Sequence, residues 1–114
     1  MSKQEAFQQV RRVIRARKTI LTELTAESSA RRGLEQVRTH LQHAEAAIIS
    51  FRNFILELDD RYFSERELLA ANKAMVLRAE YRKLASVDSL SEYQGLEFEA
   101  DVLEDQFLIL AKGV

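Results

Sequence analysis

The chain has no cysteine, no proline and no tryptophan, and only three glycines in 114 residues. Each absence removes a class of structure or chemistry. Without cysteine there is no disulfide, no thiolate nucleophile and no cysteine-ligated zinc or iron–sulfur site. Without proline, and with glycine only at positions 33, 95 and 113, the chain lacks the turn residues that strand-rich folds need about every ten positions. No run of about 18 apolar residues occurs, so no membrane span is expected. The start, Met1-Ser2-Lys3-Gln4-Glu5, lacks the apolar region of a signal peptide. A soluble, cytoplasmic protein is the expectation.

What the chain does have points to helices. Apolar residues make up 46 % of it, enough for a core, and charged residues 31 %, above the ordinary value of about 25 %. The length predicts one domain, 1–114. Charge is nearly balanced overall but not along the chain. Residues 1–40 carry nine Lys/Arg against four Glu, a net of +5, and residues 88–114 carry one Lys against seven Asp/Glu, a net of −6. A basic arm and an acidic tail can attract each other within a subunit or between subunits.

The strongest pattern is an apolar stripe at steps of three and four: Leu34, Val37, Leu41, Ala44, Ile48, Phe51, Ile55, Leu58 and Tyr62. A stripe of this kind needs a long helix and a helical partner to bury it. Ile49, Phe54 and Leu56 lie off the seam, which suggests a bundle of several helices rather than a two-stranded coiled coil. Leu34, Val37, Leu41, Ile48, Phe51, Ile55 and Leu58 are therefore the candidate association face.

Four helices are predicted, over about 3–25, 29–62, 65–85 and 89–112. Phe7, Val10, Ile14, Leu21 and Leu24 give the first its seam, with Arg17 inside it. A Thr- and Ser-rich stretch, Thr22–Ser29, places a break near 25–29. Asp59–Phe63 is a predicted turn. Ser64-Glu65-Arg66-Glu67 and Ser89-Leu90-Ser91-Glu92 read as capping boxes. Leu68, Leu69, Met75, Val76 and Ala79 are expected to face inward from the third helix. In the last, Tyr93, Leu96, Ala100, Leu103, Phe107 and Leu110 form the seam, and Phe98, Val102 and Ile109 broaden it. Gly95 in that helix suggests a close helix crossing.

No chemical motif competes with this architectural reading. His40 and His43 share a helix face near Glu45, but a zinc site needs at least three protein ligands, and the His-Glu-x-x-His pattern is absent. Asp59-Asp60 and the carboxylates Glu97, Glu99, Asp101, Glu104 and Asp105 read as solvated faces rather than acid–base pairs, which need an enclosed site. Tyr62, Tyr81 and Tyr93 read as packing residues with wet hydroxyls. Arg11, Arg12, Arg15 and Lys18 form a basic helical face, a candidate docking surface for a protein or for phosphates. No aromatic is interleaved with them, so nucleic acid is the less favoured partner.

The order of features resembles a family. A Ser-containing break, Thr25-Ala26-Glu27-Ser28, precedes an amphipathic helix containing His43-Ala44-Glu45-Ala46-Ala47-Ile48-Ile49-Ser50-Phe51. Val87-Asp88-Ser89-Leu90-Ser91-Glu92-Tyr93 then opens a final apolar helix. Over about residues 20–112 this resembles the YlbF/YmcA family of small bacterial helical proteins, which includes YheA-like members. The chain departs from it in having neither Gly nor Pro around Asp59–Ser64, and in lacking the cysteines that some members link to iron–sulfur binding. The resemblance implies an all-α fold, self-association and a non-enzymatic adaptor role, in regulating RNA processing or developmental programmes, with no cofactor.

The expectation is thus an all-α bundle of about four helices in antiparallel hairpins, completed by dimerisation. Its function is that of a helical interaction or adaptor protein. The alternatives are nucleic-acid binding through the basic helix and, more remotely, a metal-dependent bundle enzyme using His40 and His43.

Overall fold

Side-chain capping sets several of the helix starts in this chain. The Ser64 hydroxyl accepts from the Glu67 amide at 3.1 Å, and the Glu67 carboxylate accepts from the Ser64 amide at 3.0 Å, so the predicted capping box forms in full. At Ser89 half of the box forms. The hydroxyl accepts from the Glu92 amide at 3.1 Å, but the Glu92 carboxylate takes the Asp88 amide at 3.2 Å. Asp59 ends the second helix early: its carboxylate accepts from the Arg61 amide at 3.0 Å and starts a single 3-10 turn, Asp60–Tyr62.

The computed structural model describes residues 1–26 and 30–114, and the side chains of 21–32 lie outside that description, with most of the predicted break at 25–29. The elements are α1 (Lys3–Ala26), α2 (Ala30–Glu57), α3 (Glu65–Leu84), α4 (Leu90–Leu96) and α5 (Phe98–Leu110). No strand occurs among the described residues. The all-α bundle expected from the sequence is what forms. Two boundaries differ. The second helix stops at Glu57 rather than 62, which leaves Tyr62 exposed on the turn. The last predicted helix is broken at Glu97 into α4 and α5.

Four long segments run alternately up and down around one core. The molecule measures 48 × 21 × 21 Å, and α2 alone, at 28 residues, spans about 42 Å. The bundle is therefore one long helix in length and two helices in width. At one level Phe7, Phe51 and Phe107 meet with ring centroids 5.1–6.4 Å apart, two of the three contacts edge-to-face. The α2 stripe is consumed here: Leu34, Val37, Leu41, Ala44, Ile48 and Phe51 are buried in the chain's own core, with Ile55 and Leu58 packed at its margin.

The third helix buries a different face from the one expected, while the last buries the expected seam, with Tyr93, Ala100 and Phe107 in the core and Leu96, Leu103 and Leu110 packed against it. The core side of α3 is Ala70, Ala71, Ala74, Leu77, Tyr81 and Leu84. Leu69 and Val76 point outward instead, with Leu68 and Ala79 also exposed and Met75 half-buried. Small residues let α3 sit close to α2 and α5, so the alanines take the inside and the larger aliphatics the outside. Phe98, Val102 and Ile109 of α5 are likewise exposed.

Gly95 meets no close helix: a Cβ there would find nothing within 4 Å. It sits in α4 without a positive φ, two residues before the break. Gly95→Ala should therefore raise stability by about 0.5–1 kcal/mol, read as a higher urea midpoint at unchanged slope.

Candidate functional site

The most concentrated polar chemistry in the molecule is inside it. Arg17 on α1 and Glu104 on α5 are both fully buried. They form a bidentate pair: Arg17 Nε donates to Glu104 Oε2 at 2.7 Å, and Nη2 donates to Oε1. Nη2 also donates to the Asp101 carboxylate. Nη1 donates to the Tyr93 hydroxyl at 2.9 Å and lies 3.3 Å from Glu97 Oε2. Tyr81 of α3 donates its hydroxyl to Glu104 Oε2 at 2.5 Å. Glu97, Asp101 and Glu104 reach one guanidinium because spacings of four and three put them on one face of a helix.

Burial alone would weaken the Arg17 charge, but the hydrogen bond and charge of Glu104, with Tyr93 adding to them, hold its pKa above the ordinary value. Burial, reinforced by Glu104, pushes the Tyr81 phenol well up. Tyr93 is raised by burial against the opposing pull of Arg17. Glu97 is raised by burial and by the neighbouring Asp101, with Arg17 opposing. All three guanidinium nitrogens are engaged, so none is left to hold an anionic ligand. The arrangement is a lock between helices rather than a reaction centre.

This overturns two expectations. Of the carboxylates expected on a solvated face, Glu104 is in the core and Glu97 and Asp101 turn partly inward to Arg17, while Glu99 and Asp105 are exposed. Tyr81 and Tyr93 are buried with protein-bonded hydroxyls, and only Tyr62 is wet. A signal was present in the sequence. Arg17 follows Ile14 on the α1 seam, and Glu104 stands between Ala100 and Phe107 on the α5 seam. Two opposite charges, each inside an apolar stripe, is the pattern of a buried pair.

The other candidate residues are dispersed. Arg11 donates to the carbonyl oxygens of Ala111 and of Val114 (3.1 Å for the latter), and burial, then Arg15, lowers its pKa. Lys18 pairs with Asp105 at 2.9 Å. Arg12 and Arg15 remain exposed. The basic arm thus meets the acidic tail inside one subunit. The half-buried His40 has Nε2 3.1 Å from the Val13 carbonyl oxygen, so this nitrogen carries the proton and donates. Exposed His43 shares a shallow groove with it, lined also by Ile20, Glu35 and Thr39. Glu45 turns away toward Arg78 and Arg82, at 3.7 and 3.8 Å. Among the described residues no set of three His, Cys, Asp or Glu is arranged to hold a metal ion.

With this geometry in view, no family model matches the chain, and no curated protein or solved structure matches it either.

Two measurements test the lock. Arg17→Met strands the buried Glu104 carboxylate and should cost about 3–5 kcal/mol in urea denaturation, while Arg17→Met with Glu104→Leu and Tyr81→Phe should recover most of that loss. His40 has its pKa lowered from 6.5, because burial outweighs the Val13 carbonyl. A lowered folded value means stability that is present above pH 6.5 and lost as pH falls through the folded value. Melts on the acid side of that range should therefore fall for the wild type and flatten in His40→Gln.

Proposed function

We propose that the protein is a non-enzymatic helical interaction or adaptor protein that acts in the cytoplasm, self-associates and docks a protein partner. The observation that carries this reading is the set of large apolar side chains left outside a finished core. Phe98 is 73 % exposed, Ile109 63 %, Leu69 50 % and Val76 43 %, all on α3 and α5. Isolated exposed aliphatics are ordinary, but a shared two-helix face of them is the kind of surface that protein partners cover. The resemblance to the YlbF/YmcA order of features supports a regulatory role, in RNA processing or developmental control.

Two observations weigh the alternatives. Nucleic-acid binding through the basic helix loses Arg11 and Lys18 to contacts within the chain, leaving Arg12 and Arg15. For metal chemistry at His40 and His43, no third ligand is arranged with them among the described residues. The docking face thus moves from the α2 stripe, which the core has used, to α3 and α5.

Affinity capture from the native host with mass spectrometry tests this. The wild type should retain a defined protein that Phe98→Glu loses, with helicity unchanged by circular dichroism. A protein retained equally by both would contradict the assignment of the face.

A further inference from the structure

The α3/α5 face carries more information than its apolarity. Arg66, at the start of α3, donates to the carbonyl oxygens of Ile109 and Leu110 at the end of α5, at 2.6 and 3.1 Å. Near the other end, Val76 and Glu80 of α3 share a cleft of about 270 Å³ with Phe98, Glu99, Val102 and Leu103. The two helices therefore run antiparallel, with Val76 level with Val102.

We propose that the occupant of this face is a second copy of the chain, with α3 of one protomer laid antiparallel over α5 of its partner. This rests on reading the chain as an interaction protein and adds which partner it takes on this face and in what orientation.

The argument is one of symmetry and charge. A surface can meet its own copy only about a two-fold axis lying in the plane of contact. An axis across the helices would set α5 over α5 and α3 over α3. An axis along the helices sets α3 over the partner's α5. Of the four carboxylates between Phe98 and Leu110, Asp101 and buried Glu104 are bonded to Arg17 within the chain, which leaves Glu99 and Asp105 exposed, Asp105 also pairing with Lys18. On α3, Arg66 is bonded to the carbonyl oxygens at the end of α5, and Arg78 and Arg82 lie by Glu45 of α2, so Lys73 and Lys83 are the cations it brings to this face. The first axis stacks exposed Glu99 and Asp105 on like charge. The second brings the basic helix over the acidic one, which is the complementary choice.

The levels along the helices agree. Lys73 lies about one turn from Val76 toward the start of α3, and Asp105 about one turn from Val102 toward the end of α5. An axis along the helices preserves level, so Lys73 comes opposite the partner's Asp105. Exposed Lys83, one turn beyond Glu80, comes within reach of the partner's exposed Glu99. The exposed apolar residues Leu69, Val76, Val102 and Ile109 are then enclosed between these charged rims. A desolvated apolar centre inside a polar rim is the ordinary anatomy of a protein interface.

The test is light scattering on the full chain across a concentration series, combined with cross-linking. The wild type should reach twice the 13.2 kDa protomer mass. Phe98→Glu, and independently Ile109→Glu, should be monomeric with unchanged helicity, since both side chains are exposed in the single chain. The chain has no cysteine of its own, so single-cysteine copies report orientation. A mixture of Val76→Cys and Val102→Cys copies should cross-link with each other in preference to themselves. Self-links of Val76→Cys and of Val102→Cys would instead indicate the crossed axis and overturn the pairing. A wild type that stays monomeric overturns the second copy as occupant. If that monomer still loses a captured protein on Phe98→Glu, the docking reading stands and only the occupant changes. A dimer that survives both glutamate substitutions overturns the face.

Discussion

The bundle depends on how its fourth seam is closed. Three pairs of neighbouring helices, α1 with α2, α2 with α3 and α3 with α5, pack backbone to backbone, whereas the backbones of α1 and α5 stand further apart. Long side chains fill that gap. Arg17 crosses it to Glu97, Asp101 and Glu104, Lys18 crosses it to Asp105, Arg11 reaches the end of α5, and Phe7 stacks on Phe107 at 6.0 Å. A buried ion pair of this kind contributes little net stability relative to a good apolar contact, because desolvation opposes the attraction. Its effect here is on register. Three carboxylates and two tyrosines must meet one planar guanidinium, and a shift of either helix by one residue would leave charges buried without partners.

That constraint shapes the outside of the molecule. With the basic arm tied to the acidic tail within one subunit, the charge asymmetry between the chain's ends is largely satisfied internally. With the α2 stripe and the alanine face of α3 used in the core, most of the exposed large aliphatic and aromatic side chains fall on α3 and α5, with Leu56 of α2 and Tyr62 of the turn lying apart from them. The free surface thus has an apolar centre, a basic flank on one helix and an acidic flank on the other. That arrangement follows from which residues the core did not need, and it is the ground of the proposed docking.

Much of the fold was legible from the residues. The α2 periodicity, the Ser64 capping box and the lack of turn residues together specify a helical bundle, and each refers to local physics that the sequence states directly. Facing was less legible. On α3 the apolar residues run nearly around the helix, so periodicity could not choose between Leu69–Val76 and Ala70–Ala74–Leu77, and the close approach of α2 and α5 decided it. Charge burial was misread for a related reason. Glu104 looks like one of several carboxylates in a row, and only its position between Ala100 and Phe107, matched by Arg17 after Ile14, marks it as a core residue. Interaction across 87 residues of separation between Arg17 and Glu104 is a tertiary fact that neither helix reveals alone.

The central claim is that Arg17 is a desolvated, fully bonded cation holding α1 to α5. Side-chain nitrogen-15 NMR of the arginines tests it most directly. The account predicts that Arg17 gives resolved guanidinium proton signals, shifted from the averaged arginine envelope and slow to exchange with water near neutral pH. A guanidinium of Arg17 that rotates freely and exchanges as fast as the exposed Arg12 and Arg15 would contradict it.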